Sequence, residues 1–280
     1  MDQAVASRTA VSVALRRAAH QIHDSPLVFA DPLAVAILGE TYGEELRRTP
    51  LRADKPFSIA MRAFLVARSR YAEDNLRRAV ENGVRQYVLL GAGLDTFAYR
   101  NPYPQLRVFE VDHPATQQWK RELLHRSRIA IPGSITYTPV DFECQSLSAQ
   151  LSEAGFDGHG PSFFAWLGVV PYLTLEAFRA TVQFISAQAQ GSGVVLDYGQ
   201  PAAVLSALER LALASLASRV EKAGEPFQLF FTRGEIASEL SSFHTIEDVG
   251  SAEINARYFG GRTDQLAMRG TAARMLSAWL

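Results

Sequence analysis

The chain has 280 residues, 48% of them hydrophobic, with 28 basic and 29 acidic side chains and a formal net charge of -1. That length and apolar content can bury a full core, while the balanced charge leaves no basic footprint of the kind a nucleic-acid partner requires. No apolar stretch reaches the roughly 20 residues that span a bilayer, so neither a polynucleotide nor a membrane is an expected partner.

The single cysteine, Cys144, has no second thiol to pair with, and the residues ahead of Arg16 and Arg17 lack the apolar core of a secretion signal. A reducing cytoplasm is the expected compartment. In chain order, Thr9 to His20 and Pro26 to Leu38 read as two short helices. Ser58 reads as the cap of a longer helix carrying Ile59, Phe64, Leu65, Tyr71, Leu76 and Val80 before Gly83. These helices form an N-terminal cap over 1–83, ahead of an α/β core over 84–280 in one domain.

Strands then alternate with helices: a strand at 86–90, a helix at 95–100, a strand at 106–111 and a helix from Pro114 to about Ile129. A strand at 135–138, a helix at 146–154, a strand at 162–166, a helix from the Thr174 cap to Gln190 and a strand at 194–198 follow. This alternation predicts a doubly wound, mostly parallel sheet with helices on both faces. An Ala/Leu-rich helix from Pro201 to Val220 breaks at Gly224-Glu225-Pro226 and leads into the aromatic run Phe227 to Phe231. That insertion, near 201–231, is expected to form a lid over a pocket. Thr232 with Glu235 makes a capping box, and Thr245 to Val249 and Asp264 to Met268 read as the last strands, with one antiparallel strand expected.

The segment that carries chemistry is Tyr87-Val88-Leu89-Leu90-Gly91-Ala92-Gly93-Leu94-Asp95-Thr96. An apolar run ending in Gly-x-Gly is a buried parallel strand followed by a turn whose backbone can approach a ligand without a Cβ in the way. About 20 residues on, a second strand ends in Glu110-Val111-Asp112, and a carboxylate there can accept from both hydroxyls of a ribose. Asp112 and Glu110, on the same strand face, are the two candidates for a ribose acid. A dinucleotide site favours a third glycine where this chain has Thr96, and its pyrophosphate would meet a like charge at Asp95. The turn suits a ligand bearing a sulfonium and an amino group better, and S-adenosylmethionine has both.

Gly91-Ala92-Gly93-Leu94-Asp95-Thr96-Phe97-Ala98-Tyr99-Arg100, Glu110-Val111-Asp112-His113-Pro114 and Trp166-Leu167-Gly168-Val169-Val170-Pro171-Tyr172-Leu173-Thr174 resemble the leucine carboxyl methyltransferase family, within it the bacterial S-adenosylmethionine-dependent O-methyltransferases. Ser7-Arg8-Thr9-Ala10, Phe29-Ala30-Asp31-Pro32-Leu33-Ala34 and Arg257-Tyr258-Phe259-Gly260-Gly261-Arg262 extend the likeness nearly end to end. The resemblance implies a class I methyltransferase-like α/β fold with a seven-stranded sheet, S-adenosyl-L-methionine as cofactor and a small-molecule acceptor methylated on a hydroxyl or carboxylate oxygen, with natural-product tailoring as the setting. It implies that Arg68 clamps the carboxylate of the cofactor's methionine part, that Gly91, Ala92 and Gly93 bring backbone close to it, that Asp112 holds the ribose, and that Asp141 with Phe142 holds the adenine.

Leu167 departs from the family pattern, which often has glutamate there; leucine cannot accept a hydrogen bond, so that contact is absent or comes from elsewhere. No acceptor-side base forms a motif. His20, His23, Tyr172, Tyr198 and Tyr258 are the catalytic candidates, with Arg257 a further pocket residue and structural roles the alternative for each. Phe227, Phe230 and Phe231 are expected to make a greasy roof. No spaced His/Cys set points to a metal. An NAD-dependent oxidoreductase and a cofactor-binding protein with weak or no catalysis are the rival readings, and the oligomeric state is not legible.

Overall fold

A computed structural model describes residues 8–48, 55–141, 145–222 and 224–280. Ser7, Phe142 and Cys144, named above, lie outside the described residues. A seven-stranded sheet runs in the order β3-β2-β1-β4-β5-β7-β6. The strands are β1 (Gln86–Leu90), β2 (Arg107–Asp112), β3 (Ile135–Pro139), β4 (Ser162–Trp166), β5 (Gly193–Gly199), β6 (Thr245–Val249) and β7 (Ala273–Trp279). The first five are parallel, whereas β7 runs antiparallel to both β5 and β6.

The sheet is apolar on both faces, which is why its central strands read as unbroken hydrophobic runs. Tyr87, Leu89, Phe163, Ala165 and Val195 join one cluster beneath Ala63, Val66, Ala67, Tyr71 and Leu76 of helix α3 (Pro56–Glu81). Val88, Leu90, Phe164, Trp166, Val194 and Leu196 face the other way, toward α5 (Leu147–Glu153), α6 (Leu175–Ser186) and α8 (Arg233–Glu239). A third cluster joins Ala14 and Ala18 of α1 (Arg8–His23) to Ile37, Leu38, Leu94 and Leu124, the last on α4 (Pro114–Arg126). The capping residues act as read: Thr174 accepts from Ala177 N, and Thr232 with Glu235 closes a reciprocal box.

Several expected elements differ. Residues 26–38 are turns ending in one 3-10 turn (Ala36–Leu38), because α1 side chains satisfy the backbone instead of a helix. His20 Nε2 accepts from Val28 N and Phe29 N, and Gln21 bonds both Phe29 O and Asp31 N. A helix not foreseen, α2 (Glu40–Arg48), follows, and α3 starts at Pro56 ahead of Ser58. The helix expected at 95–100 is one 3-10 turn (Phe97–Tyr99): Asp95 takes Phe97 N, and Pro102 and Pro104 disfavour continuation. Asp264 to Met268 is not a strand, since Asn255 on α9 (Ser251–Tyr258), itself not foreseen, bonds both Met268 N and Met268 O. The last strand is β7. Helix α7 (Ala207–Lys222) begins later than read and buries none of its residues.

Candidate functional site

In an open α/β sheet the crevice forms where strand order reverses, outside the carboxyl ends of the strands. Here that point lies between β1 and β4, and a cavity of about 560 Å³ opens there. Its lining includes Gly91, Ala92 and Gly93 after β1, Asp112 at the end of β2, and Leu167 and Gly168 after β4. Arg17 on α1, Arg68 on α3, Tyr172, and Glu225 and Gln228 of the insertion complete much of the wall.

Gly91 sits at φ +69°, and a Cβ there would collide with the Val169 side chain, so the turn requires glycine. Asp112 locks the turn, its Oδ2 accepting from Gly93 N at 2.6 Å and its Oδ1 from His113 N at 2.7 Å. Burial pushes the Asp112 carboxyl up, against those two N–H bonds. A carboxylate oxygen has a further lone-pair site beyond one bond, so Asp112 can still accept from a diol in the cavity.

Glu110 does not share this position. It is fully buried, 2.7 Å from Lys120 Nζ and bonded by the Tyr99 hydroxyl, so the alternative ribose acid is part of a core ion pair instead. Burial raises its pKa, opposed by Lys120. Asp95 lines the cavity rather than opening a helix. Burial opposes its charge, but Arg17, Arg100 and Lys120 outweigh that and hold its pKa down.

Arg68 reaches the cavity wall, where Asp197 on β5 holds its Nη1 at 3.2 Å and also accepts from Gly168 N. Gly168 sits at φ +70°, and a Cβ there would come within 2.7 Å of Arg68 Nη1. Sequence reasoning did not single out Asp197. Beside Leu167, which lines the cavity without an acceptor, it supplies the carboxylate next to Arg68. Arg17 was also missed: its Nη2 donates to Leu94 O, and it pairs with Asp31 and Asp95. One arginine among several on a helix gives no signal until the distant acids are folded against it.

Most catalytic candidates stand elsewhere. His20 is buried with Nδ1 2.7 Å from Asp24, while Nε2 accepts two backbone bonds, so neither nitrogen faces the cavity. His23 donates to Leu46 O. The hydroxyl of Tyr198 bonds Asp248 and that of Tyr258 bonds Asp74, while Arg257 pairs with Glu247; none of these lines the cavity. Tyr172 does line it.

The greasy roof also requires correction. Phe231 is core against Phe178, Phe230 lies over Gly199 and Phe227 packs on Tyr172; the insertion lines the cavity with Gly224, Glu225, Pro226 and Gln228. Gln228 fastens this segment through Pro171 O and Tyr172 O. Asp141 follows β3, next to the Val140 N bond to Asp112 O, and is not among the lining residues. Among the described residues no cluster of His, Cys, Asp and Glu could hold a metal. No helix described is long and apolar enough to cross a membrane.

Comparison with known proteins decides the class. The family model described as leucine carboxyl methyltransferase matches residues 10–186. The chain belongs to this family. A Bacillus subtilis relative bearing the name of an S-adenosyl-L-methionine-dependent methyltransferase, YktD, is 32% identical over 286 residues, covering 93% of this chain and 94% of its own. One from Mycobacteroides abscessus with a name of the same kind is 36% identical over 207 residues, covering 73% and 67%. A solved structure from Thermobifida fusca titled as a methyltransferase has a TM-score of 0.58 at 18% identity, covering 91% of this chain and 96% of that one. This member of the leucine carboxyl methyltransferase family is thus an S-adenosylmethionine-dependent methyltransferase with the class I α/β fold. The helix N-terminus that a dinucleotide pyrophosphate would use is missing, since only the Phe97–Tyr99 turn follows the glycines.

Proposed function

We propose that the chain transfers a methyl group to an oxygen of a small-molecule acceptor. The observation that carries the reading is the cavity at the β1/β4 switch point, where glycine backbone, the Asp112 carboxylate and the Arg68 guanidinium line one space. These groups match the parts of S-adenosylmethionine: a Cβ-free turn for close contact, an acid for the ribose diol and a planar fork for the tail carboxylate. When bound, that cofactor supplies a methyl group on a positively charged sulfur, activated for in-line displacement.

The chain's own residues do the rest. Asp112 fixes the ribose while its two backbone bonds keep the glycine turn in register. Arg68, steadied by Asp197, holds the carboxylate, and Asp141 with Phe142 is assigned to the adenine from the family resemblance. The wall formed by α1, Tyr172 and residues 224–228 excludes water and aligns the acceptor, which is most of what such a displacement needs. Turnover with isotopically labelled methyl donor against a panel of phenols, alcohols and carboxylic acids, read by mass spectrometry, tests this. Methyl ethers or esters are expected. Transfer only to nitrogen, sulfur or a macromolecule contradicts the acceptor assignment, and no transfer to anything supports a binding protein.

A further inference from the structure

We propose that the acceptor is a neutral hydroxyl compound, not a carboxylate, and that Glu225 takes its proton. This rests on the methyl-transfer reading above and adds the substrate class and the base. The charged or titratable groups lining the cavity are Arg17, Arg68, Asp95, Asp112, His113, Tyr172 and Glu225. Both arginines already face acids: Arg17 pairs with Asp31 at 3.3 Å and Asp95 at 3.5 Å, and Arg68 with Asp197 at 3.2 Å. His113 Nδ1 caps the next helix by accepting from Ala115 N. With Arg68 committed to the cofactor, an ionised acceptor meets no cation without an acid beside it and is repelled by Asp112 and Glu225.

The three lining acids differ in what they touch. Asp112 accepts from Gly93 N of the glycine turn and Asp95 from Phe97 N of the 3-10 turn that follows, so both are built into the loop after β1. The Glu225 carboxylate comes from the insertion and accepts from the Thr9 hydroxyl of α1, and Thr9 also bonds the Tyr172 hydroxyl. Burial raises the Tyr172 pKa, and Glu225 and Asp197 add to that, which keeps this phenol protonated and unsuited to act as base. Arg16, also on α1, turns back onto Ser12 and faces Arg219.

A hydroxyl acceptor requires a group to receive its proton as the oxygen becomes a nucleophile; an ionised carboxylate does not. The O–H bond breaks with its proton passing to a Glu225 oxygen, and the freed electron pair on the acceptor oxygen forms the O–CH3 bond. The C–S bond breaks with its pair remaining on sulfur, which cancels the sulfonium charge. Glu225 then returns its proton to water.

The test uses the full chain saturated with S-adenosylhomocysteine and titrated calorimetrically with 2-naphthol and 2-naphthoate, aromatic probes of similar shape and different charge. 2-Naphthol is expected to bind at least about 10-fold more tightly, and Glu225→Gln to narrow that ratio at least about 5-fold with S-adenosylhomocysteine affinity unchanged. Thr9→Val removes the same wall contact but keeps the charge, so it leaves the ratio in place. With labelled S-adenosylmethionine, Glu225→Gln is expected to lower kcat for 2-naphthol about 100-fold. Equal or tighter naphthoate binding, binding of neither probe, or a ratio that Glu225→Gln leaves unmoved overturns the proposal. So does absence of methyl ether from the wild-type chain, or its undiminished formation by Glu225→Gln. Failure of S-adenosylhomocysteine to bind the wild type is a different result, and it overturns the cofactor reading beneath.

Discussion

Asp112 and Glu110 stand two residues apart on β2, and their neighbours separate a cavity-lining group from a core group. Glu110 forms the salt bridge of the buried Lys120 ammonium, so Glu110→Ala removes its counter-charge and is expected to cost about 3–5 kcal/mol of stability. Denaturant unfolding reads that loss, while S-adenosylhomocysteine affinity of the remaining folded protein stays near the wild-type value. Arg68→Lys is expected to do the reverse, because a point charge cannot reproduce a planar fork at a carboxylate. Its signature is weaker S-adenosylhomocysteine binding with adenosine binding unchanged; equal loss for both ligands would assign Arg68 a general structural role. That Gly91, Gly93, Asp112 and Arg68 would meet at one cavity was legible because the turn, the strand end and the family motif are local in sequence. The settings of His20, Tyr198 and Tyr258 were not, because Val28 and Phe29 reach His20 across a turn and Asp248 and Asp74 lie on other elements, and these partners turn polar side chains away from the cavity.

At the scale of elements, the N-terminal helices are joined to the glycine turn by buried charge. Asp31 accepts from Thr96 Oγ1 at 2.8 Å and faces both Arg17 and Arg100, and Arg100 is bonded to Glu73 of α3. Deleting the segment would therefore strip the turn of its counter-charges, so it is no separable flap. Arg17→Met removes the cation that pairs with both Asp31 and Asp95 and leaves Arg100 to face them, so it is expected to lower stability by about 1–3 kcal/mol, with weaker S-adenosylhomocysteine binding as the loop loosens. Thermal unfolding and calorimetry together check this; unchanged values in both would remove Arg17 from the account. The central parallel strands β1, β4 and β5 were legible because each carries an apolar run. Strand β7 was hidden by polar residues, Arg274 paired with Asp248 and Ser277 bonded by the Tyr71 hydroxyl, whereas Leu266 and Met268 alternate as a strand would yet are buried in coil. Alternation reports burial, and the backbone of Met268 finds its partners in Asn255.

For the whole molecule, acid sensitivity has an identifiable contributor. Asp24 is buried between His20 and Arg62; burial alone would raise its pKa, but the bonds from His20 and Arg62 prevail and hold it below the ordinary aspartate value. A carboxyl with a folded pKa below its unfolded one stabilises fully above about pH 4, and that contribution is lost as pH falls through the folded value. Asp24→Asn is expected to destabilise the chain at pH 7 and to flatten the loss of stability between about pH 4 and 2; a parallel acid limb in both proteins would discount the residue. The sheet order was legible only as a class, because the β1/β4 switch and the antiparallel β7 are set by which strands pair across long connections, not by local periodicity.

The most direct test is isothermal titration of the wild-type chain and Asp112→Ala with S-adenosylhomocysteine, with NADH as the comparison ligand. One-to-one binding to the wild type, about 30- to 150-fold weaker binding to the variant from the loss of about 2–3 kcal/mol, and no heat with NADH are the predicted results. No binding by the wild type, or equal binding by a folded Asp112→Ala protein, would contradict the account at its centre.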